Sequence, residues 1–211
     1  MDSLFPWRES EDPFEWLVAE ILLQKAPAPN VVPIWQRLLA FYPTPRDLAK
    51  ASEKEIANII RPLGLHRIRA KAISQVAALA SSQDLKEWLK EATINKDKRP
   101  YRLGRYSISI LASVLLGQET GVVDSNVARV LGRVFSLQPG SQQLHQDEKF
   151  WQLAGLVVRI GRTFGCEPKE INLAMVDVGR MYCRPKPLCD TCPLANICAY
   201  AKKRMSGEIL T

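Results

Sequence analysis

No apolar run in this sequence approaches the roughly 18 residues that a membrane-crossing helix needs. The N-terminus, Met1-Asp2-Ser3-Leu4-Phe5-Pro6-Trp7, lacks the basic start and apolar stretch of a secretion signal. An intracellular, cytoplasmic chain with no membrane partner is therefore expected. There is no low-complexity tract and no repeat with a period of roughly 20–50 residues, so nothing points to a solenoid or a propeller. Strand-like alternation is missing too, apart from a short extended stretch at Gly121-Val122-Val123. Cysteine is scarce: five in 211 residues are too few to staple a scaffold of this length. Charged residues make up 24% and apolar residues 46%, which is the balance of a globular chain and not of a disordered one.

What the sequence does have is helical periodicity. Asp12-Pro13 opens the run Phe14-Glu15-Trp16-Leu17-Val18-Ala19-Glu20-Ile21-Leu22-Leu23, with Asp12 as N-cap and Pro13 at the first helical position. Pro27 and Pro29 end it. A second helix is predicted from Val31 to Phe41, closed by Pro43 and Pro45. Thr44-Pro45-Arg46-Asp47 and Ser52-Glu53-Lys54-Glu55 both read as helix starts, the second as a capping box. Pro62 and Gly64 break the helix that follows. Further helices are predicted over 66–80, 84–92, 105–116, 125–135, 148–163 and 169–181. The expected class is all-α, with about ten short helices joined by brief connections.

Lys and Arg total 29 against 22 Asp and Glu, a net charge of +7. A basic excess fits a nucleic-acid partner, and solvated helix faces produce the same balance. The distribution says more. Residues 1–20 hold six acids and one base, whereas Arg61, Arg67, Arg69 and Lys71 share 61–75 with no acid. Residues 95–105 hold five bases against Asp97 alone, and Lys202, Lys203 and Arg204 lie near the C-terminal end. Bases gathered in short stretches are expected to meet phosphates.

Cys183-x5-Cys189-x2-Cys192-x5-Cys198 places four of the five cysteines within 16 residues. That is a ligand pattern, on a loop shaped by Pro185, Pro187 and Pro193. Four converging thiolates suit a structural zinc ion or a 4Fe-4S cluster. Zinc ribbons usually pair two Cys-x2-Cys knuckles, whereas here a single knuckle is flanked by lone cysteines, which favours the cluster. Arg184, Lys186 and Lys202 would then lie near phosphate. Cys166 falls outside the pattern and is expected to be a core thiol.

Leu103-Gly104-Arg105-Tyr106-Ser107 leads into a helix, and Leu116-Gly117-Gln118-Glu119-Thr120-Gly121-Val122-Val123-Asp124-Ser125-Asn126-Val127-Ala128-Arg129-Val130-Leu131 follows it. With the cysteine loop, these segments resemble the helix-hairpin-helix DNA glycosylase superfamily. Within it, they resemble the branch of endonuclease III, adenine DNA glycosylases and thymine–DNA mismatch glycosylases. The likeness runs from Pro13 to Tyr200, and Asn172-Leu173-Ala174-Met175-Val176-Asp177-Val178-Gly179 also matches the branch. It implies a monomer of two helical lobes flanking a cleft. One lobe is cluster-bearing, formed by 1–25 and 118–211; the other covers 26–117, with a hairpin-like segment at 99–106. It further implies a base-excision-repair enzyme, nucleoid-associated in the cell. Its partner would be bent double-stranded DNA with one mismatched or damaged nucleotide flipped out. The cofactor implied is a 4Fe-4S cluster on Cys183, Cys189, Cys192 and Cys198.

The resemblance also assigns roles. Asp124 matches an essential aspartate that stabilises the sugar cation formed as the N-glycosidic bond breaks. Taken alone, Asp124 is equally an N-cap for a helix from Ser125, and the two roles are compatible. Glu20 matches a functional glutamate of mismatch glycosylases. Its helical neighbours Trp16, Leu17, Leu23 and Gln24 should raise its pKa, as a general acid or water-positioning group requires, unless it turns to solvent. Tyr106 stands where endonuclease III carries a Schiff-base lysine. Tyrosine cannot form that adduct, so little or no AP lyase activity is expected; aromatic packing at a helix start is the other reading.

Three departures from the branch stand out. The usual Leu-Pro-Gly-Val-Gly hairpin is Pro100-Tyr101-Arg102-Leu103-Gly104, with Arg102 in place of the first glycine. This puts a backbone-amide phosphate clamp in doubt, with Arg102 and Arg105 offering direct charge instead. The first cysteine spacing is x5 where x6 is usual. Leu23-Gln24-Lys25-Ala26 replaces the Leu-Gln-Gln-Thr of adenine enzymes. Leu65 matches a residue that wedges into the base stack, with Gln24 or Lys25 as opposing plug; Leu65 suits a core position equally well. The expected DNA contacts are Gln24, Lys25, Leu65, Arg102, Gly104, Arg105 and Asn126.

Adenine enzymes of the branch usually add a C-terminal reader domain. The sequence ends 13 residues after Cys198, so no such reader is expected. Gly64-Leu65-His66 also replaces their Gly-Tyr-Tyr-like segment. Both points favour thymine or uracil opposite guanine. The segment from Gly121 to Leu131 is very like adenine enzymes, so an adenine DNA glycosylase acting opposite guanine or oxidised guanine is the alternative. A catalytically inactive DNA-binding protein of the same fold is a further one.

Overall fold

The first apolar run is buried almost all round, from Phe14 to Leu22. In the computed structural model, which describes residues 5–137 and 146–207, this run is α1 (Pro13–Leu23). A helix that is apolar on every side can only be stable inside a core. Each of its large side chains contributes about 1.5–3 kcal/mol by leaving water. Asp12 caps it by accepting the Phe14 N–H at 2.8 Å, and Pro13 occupies the first turn.

The next elements are α2 (Ala28–Phe41), α3 (Pro45–Lys50), α4 (Glu53–Ile60), α5 (His66–Ser82) and α6 (Leu85–Ile94). They are followed by α7 (Arg105–Leu116), α8 (Ser125–Val134), α9 (Glu148–Thr163), α10 (Pro168–Met181) and α11 (Ala199–Met205). No strand occurs among the described residues, and Gly121-Val122-Val123 joins no ladder. The all-α expectation holds. Two details differ from the sequence reading. Helix α2 begins at Ala28, with Pro29 in its first turn, where a missing N–H leaves no bond unmade. Helix α11, on the C-terminal side of the cysteine loop, had no expected counterpart.

The predicted starts are seen as bonds. The Thr44 hydroxyl accepts the Asp47 N–H at 3.2 Å. Ser52 and Glu55 form a reciprocal box, the Ser52 N–H donating to Glu55 Oε2 at 2.8 Å and the Glu55 N–H to Ser52 Oγ at 3.2 Å.

By its contacts the chain divides into two units, Met1–Leu111 and Ala112–Thr211. This grouping sets residues 1–25 with 26–111, where the resemblance assigns them to the cluster-bearing lobe. In the first unit α1 packs on α2, α5 and α6, and α5 also packs on α3 and α4. In the second, α10 packs on α8 and α9, and α8 on α9 and α11. Two glycines make the second unit possible. A β-carbon at Gly179 would lie 3.0 Å from the Asn126 carbonyl oxygen, so α10 closes on α8 only without one. One at Gly121 would lie 2.3 Å from the Gly155 nitrogen on α9.

Candidate active site

In the first unit, Glu20 is only 6% exposed, held inside by the apolar surface of α1 on either side of it. Four residues on, Gln24 ends the helix. Its Nε2 donates to the Arg102 carbonyl at 2.8 Å, and Arg102 Nε donates back to Gln24 Oε1 at 3.3 Å. Two of the expected DNA contacts, 78 residues apart, are thus bonded to each other.

Arg102 has φ +74°, the left-handed backbone for which the branch uses glycine. The hairpin turn is kept without its glycine, at a cost of about 1–2 kcal/mol. Behind it, the Leu103 N–H bonds to the Pro100 carbonyl and the Ile108 N–H to the Gly104 carbonyl, which starts α7. Arg105 is exposed at the first residue of α7, and Tyr106 is half-buried at the second.

An open basin of about 620 Å³ lies here, lined by Gln24, Lys25, Lys96, Arg99, Arg102 and Gly104 among others. Four of those six residues are cationic. Partial burial, and then the neighbouring charge of Arg105, hold the Arg99 pKa below its ordinary value. A basin lined in this way favours an anion such as a phosphate diester.

Lys25 is exposed with φ +56°, and Leu65 is 41% exposed with φ +49°. Leu65 is therefore not a core residue. Arg69, expected among the phosphate-binding bases, is 1% exposed and bonds backbone carbonyls instead. The sequence reading missed this because a basic stretch does not reveal which helix face each base takes.

In the second unit, Asp124 is the N-cap of α8. Its Oδ1 accepts the Val127 N–H at 2.7 Å and its Oδ2 accepts Asn126 Nδ2 at 2.9 Å. Both contacts suit an acceptor-only carboxylate, whose orientation they fix. The Asn126 amide, expected at DNA, is engaged by Asp124 and by Arg129, whose Nη2 donates to Asn126 Oδ1 at 2.7 Å.

The loop ahead of Asp124 is held by a residue the sequence reading left without a role. Asn172 on α10 is fully buried, accepts the Val122 N–H at 3.1 Å, and donates to Ser113 Oγ at 2.8 Å and to the Thr120 carbonyl at 2.9 Å. An asparagine on a helix face otherwise turned inward was the available signal.

The four clustered cysteines are unpaired thiols, with Cys189 and Cys198 buried and Cys183 and Cys192 half-buried. All four line one small cavity of about 20 Å³, alongside Arg133, Tyr182 and Tyr200. Burial pushes the Cys192 thiol pKa up, and the other three sulfurs add to the rise, as close neighbours of like charge do. Among the described residues, no group of three or more His, Cys, Asp or Glu is arranged to hold a metal ion.

Arginines fix the loop from outside. Arg129 Nε donates to the Cys183 carbonyl at 2.5 Å, Arg133 Nη1 to the Arg184 carbonyl at 2.6 Å, and Arg204 Nη1 to the Pro187 carbonyl at 2.9 Å. Arg133 Nη1 also reaches Cys183 Sγ at 3.5 Å. Cys166 is exposed and not a core thiol. It lies just beyond the end of α9, after Gly165, whose φ of +82° turns the chain.

Comparison with known proteins places this geometry. Residues 18–155 match the HhH-GPD superfamily of base excision DNA repair proteins. The chain belongs to this superfamily. A thymine-DNA glycosylase of Aeropyrum pernix is 34% identical over 94% of this chain and 87% of its own length. A thymine/uracil-DNA glycosylase of Pyrobaculum aerophilum is 33% identical over 94% of this chain and 85% of its own. The solved structure of a thermostable thymine-DNA glycosylase superposes with a TM-score of 0.76 at 26% identity, covering 94% of this chain and 88% of that one. The HhH-GPD match takes in Glu20, Gln24, Leu65, Arg102, Tyr106 and Asp124, while the cysteine loop lies beyond it. The all-α HhH-GPD glycosylase fold expected from the resemblance is the one observed. Among the described residues, no helix is long and apolar enough to cross a membrane.

Proposed function

We propose that the protein is a DNA N-glycosylase that removes thymine or uracil mispaired with guanine from double-stranded DNA. The observation that carries this reading is the Asp124 carboxylate, held at the start of α8 by the Val127 amide and the Asn126 side chain. Water adds to C1′ as the bond from C1′ to the base nitrogen breaks. The hydroxyl stays on the sugar, the proton goes to the departing base, and an abasic site remains. Asp124 stabilises the positive sugar in between. Glu20, buried on α1, relays the proton. Tyr106 offers no amine, so the reaction stops at the abasic site with little or no AP lyase activity. The similarity to thymine- and thymine/uracil-DNA glycosylases supports the choice of base.

Cys183, Cys189, Cys192 and Cys198 are the residues that would hold a 4Fe-4S cluster. Among the described residues these four thiols do not converge as the ligands of a single metal ion, but they are free and line one small cavity, with Arg133 donating to Cys183 Sγ, which supports a multi-iron group that takes four thiolates. A cluster held there would anchor the loop between α10 and α11. The basic basin on the first unit takes the phosphates of the duplex.

The test is direct. Duplexes carrying T·G, U·G, A·G and A·8-oxoguanine are incubated with the protein and then treated with alkali. Strand breaks at T·G and U·G are expected. Release at the adenine duplexes alone would make the protein an adenine DNA glycosylase, and binding without release at any of them would make it a DNA-binding protein of this fold.

A further inference from the structure

Arg69 lies on α5 beside Ala70, Ala72, Ile73 and Val76, all of them fully buried. Its Nη1 donates to the carbonyls of Leu63 and Gly64, and its Nη2 to the carbonyl of Gln24, 45 residues away. Its Nε has no partner. No carboxylate is among its bonds, and burial first, then the charge of Arg102, pull its pKa below the usual guanidinium value. A desolvated guanidinium without a counter-charge is a poor way to stabilise a core. What it does is local.

In each loop it grips, a bonded carbonyl belongs to the residue immediately before a non-glycine residue in the left-handed region. Leu65 follows Gly64 at φ +49°, and Lys25 follows Gln24 at φ +56°. Gln24 in turn bonds Arg102, at φ +74°. Four non-glycine residues among those described have positive φ, and three of them belong to the three loops that Arg69 and Gln24 join. Leu65 and Lys25 are both exposed.

We propose that Arg69 is a positioning residue: it holds the loops at 24–25 and 63–65 in the backbone conformations that present Lys25 and Leu65 to DNA, and does not itself contact phosphate. This rests on the reading of Lys25 and Leu65 as DNA contacts. The planar guanidinium suits the task because a fork of donors spans two loops, which a single ammonium cannot do.

Arg69→Met keeps the apolar stem and removes the fork, and Arg69→Lys keeps the charge alone. Hydrogen exchange is measured first. In Arg69→Met the amides of residues 24–26 and 63–66 should exchange faster, while those in the middle of α1 and α5 keep their protection. On a T·G duplex with 2-aminopurine beside the target, the fluorescence rise that reports flipping should shrink. Single-turnover excision should fall roughly 10- to 100-fold, with Arg69→Lys in between. In a Leu65→Ala background, Arg69→Met should lower flipping by less than it does in the wild type, since the part of its effect that passes through Leu65 is already lost. Faster exchange throughout α1 and α5, unchanged exchange in the two loops, or additive effects with Leu65→Ala would each overturn the proposal. If Leu65→Ala and Lys25→Ala leave binding and flipping unchanged, the DNA-contact reading falls instead, and loop exchange still decides whether Arg69 holds the loops.

Discussion

Asn126 Nδ2 donates to Asp124 Oδ2 at 2.9 Å across the first turn of α8. The same Asn126 accepts from Arg129, and Arg129 donates to the carbonyl of Cys183. A continuous chain of hydrogen bonds therefore runs from the candidate catalytic carboxylate to the first cysteine of the loop. Gly179 permits it, since any side chain there would drive α10 away from Asn126.

Asp124→Asn keeps an oxygen to accept the Val127 N–H and removes the negative charge. The variant should fold and bind a T·G duplex as the wild type does. Its single-turnover excision rate should fall on the order of 10² to 10³. Unchanged excision would reduce Asp124 to a helix cap.

Tyr106→Lys supplies an amine at the position where endonuclease III carries its lysine. Borohydride should trap a covalent enzyme–DNA adduct with this variant and little with the wild type. Efficient trapping by the wild type would identify another amine, such as Lys25, as a nucleophile and end the monofunctional reading.

The cysteine loop makes a compositional prediction. The purified protein should be brown, with about four irons per chain. Cys189→Ser should lose iron and loosen the loop, whereas Cys166→Ser, at an exposed thiol outside the cavity, should keep its iron. A colourless protein with one tightly held zinc would refute the cluster.

Asn172→Leu leaves the Val122 N–H and the Ser113 hydroxyl without their buried partner. Stability should fall by about 2–3 kcal/mol, read as a melting temperature lower by about 4–12 °C. Excision should fall as well, because the loop that delivers Asp124 to α8 loses its tie. Wild-type stability in this variant would show that the network is dispensable.

The helix starts were legible because their physics is local. The caps at Asp12, Thr44 and Ser52 bond an N–H within three residues, so four or five letters of sequence are enough to find them. The cysteine spacing was legible for the same reason. Asp124 could be read both as a cap and as a catalytic candidate, and the structure shows the cap while leaving the carboxylate oriented by a second donor.

Sequence by itself determined the all-α class, nearly every helix boundary and the family, since periodicity, capping and motif spacing are properties of short stretches. Only the tertiary structure decided what each base and thiol does. Arg69 and Arg105 are the same residue type in two basic stretches, yet one is buried among carbonyls and the other is exposed at a helix start. Cys166 and Cys189 differ in the same way. The turn at Arg102 survives without glycine because Gln24, 78 residues distant, bonds both its carbonyl and its side chain. Such partners are set by packing between remote segments, and no local pattern encodes which side of a helix will meet them.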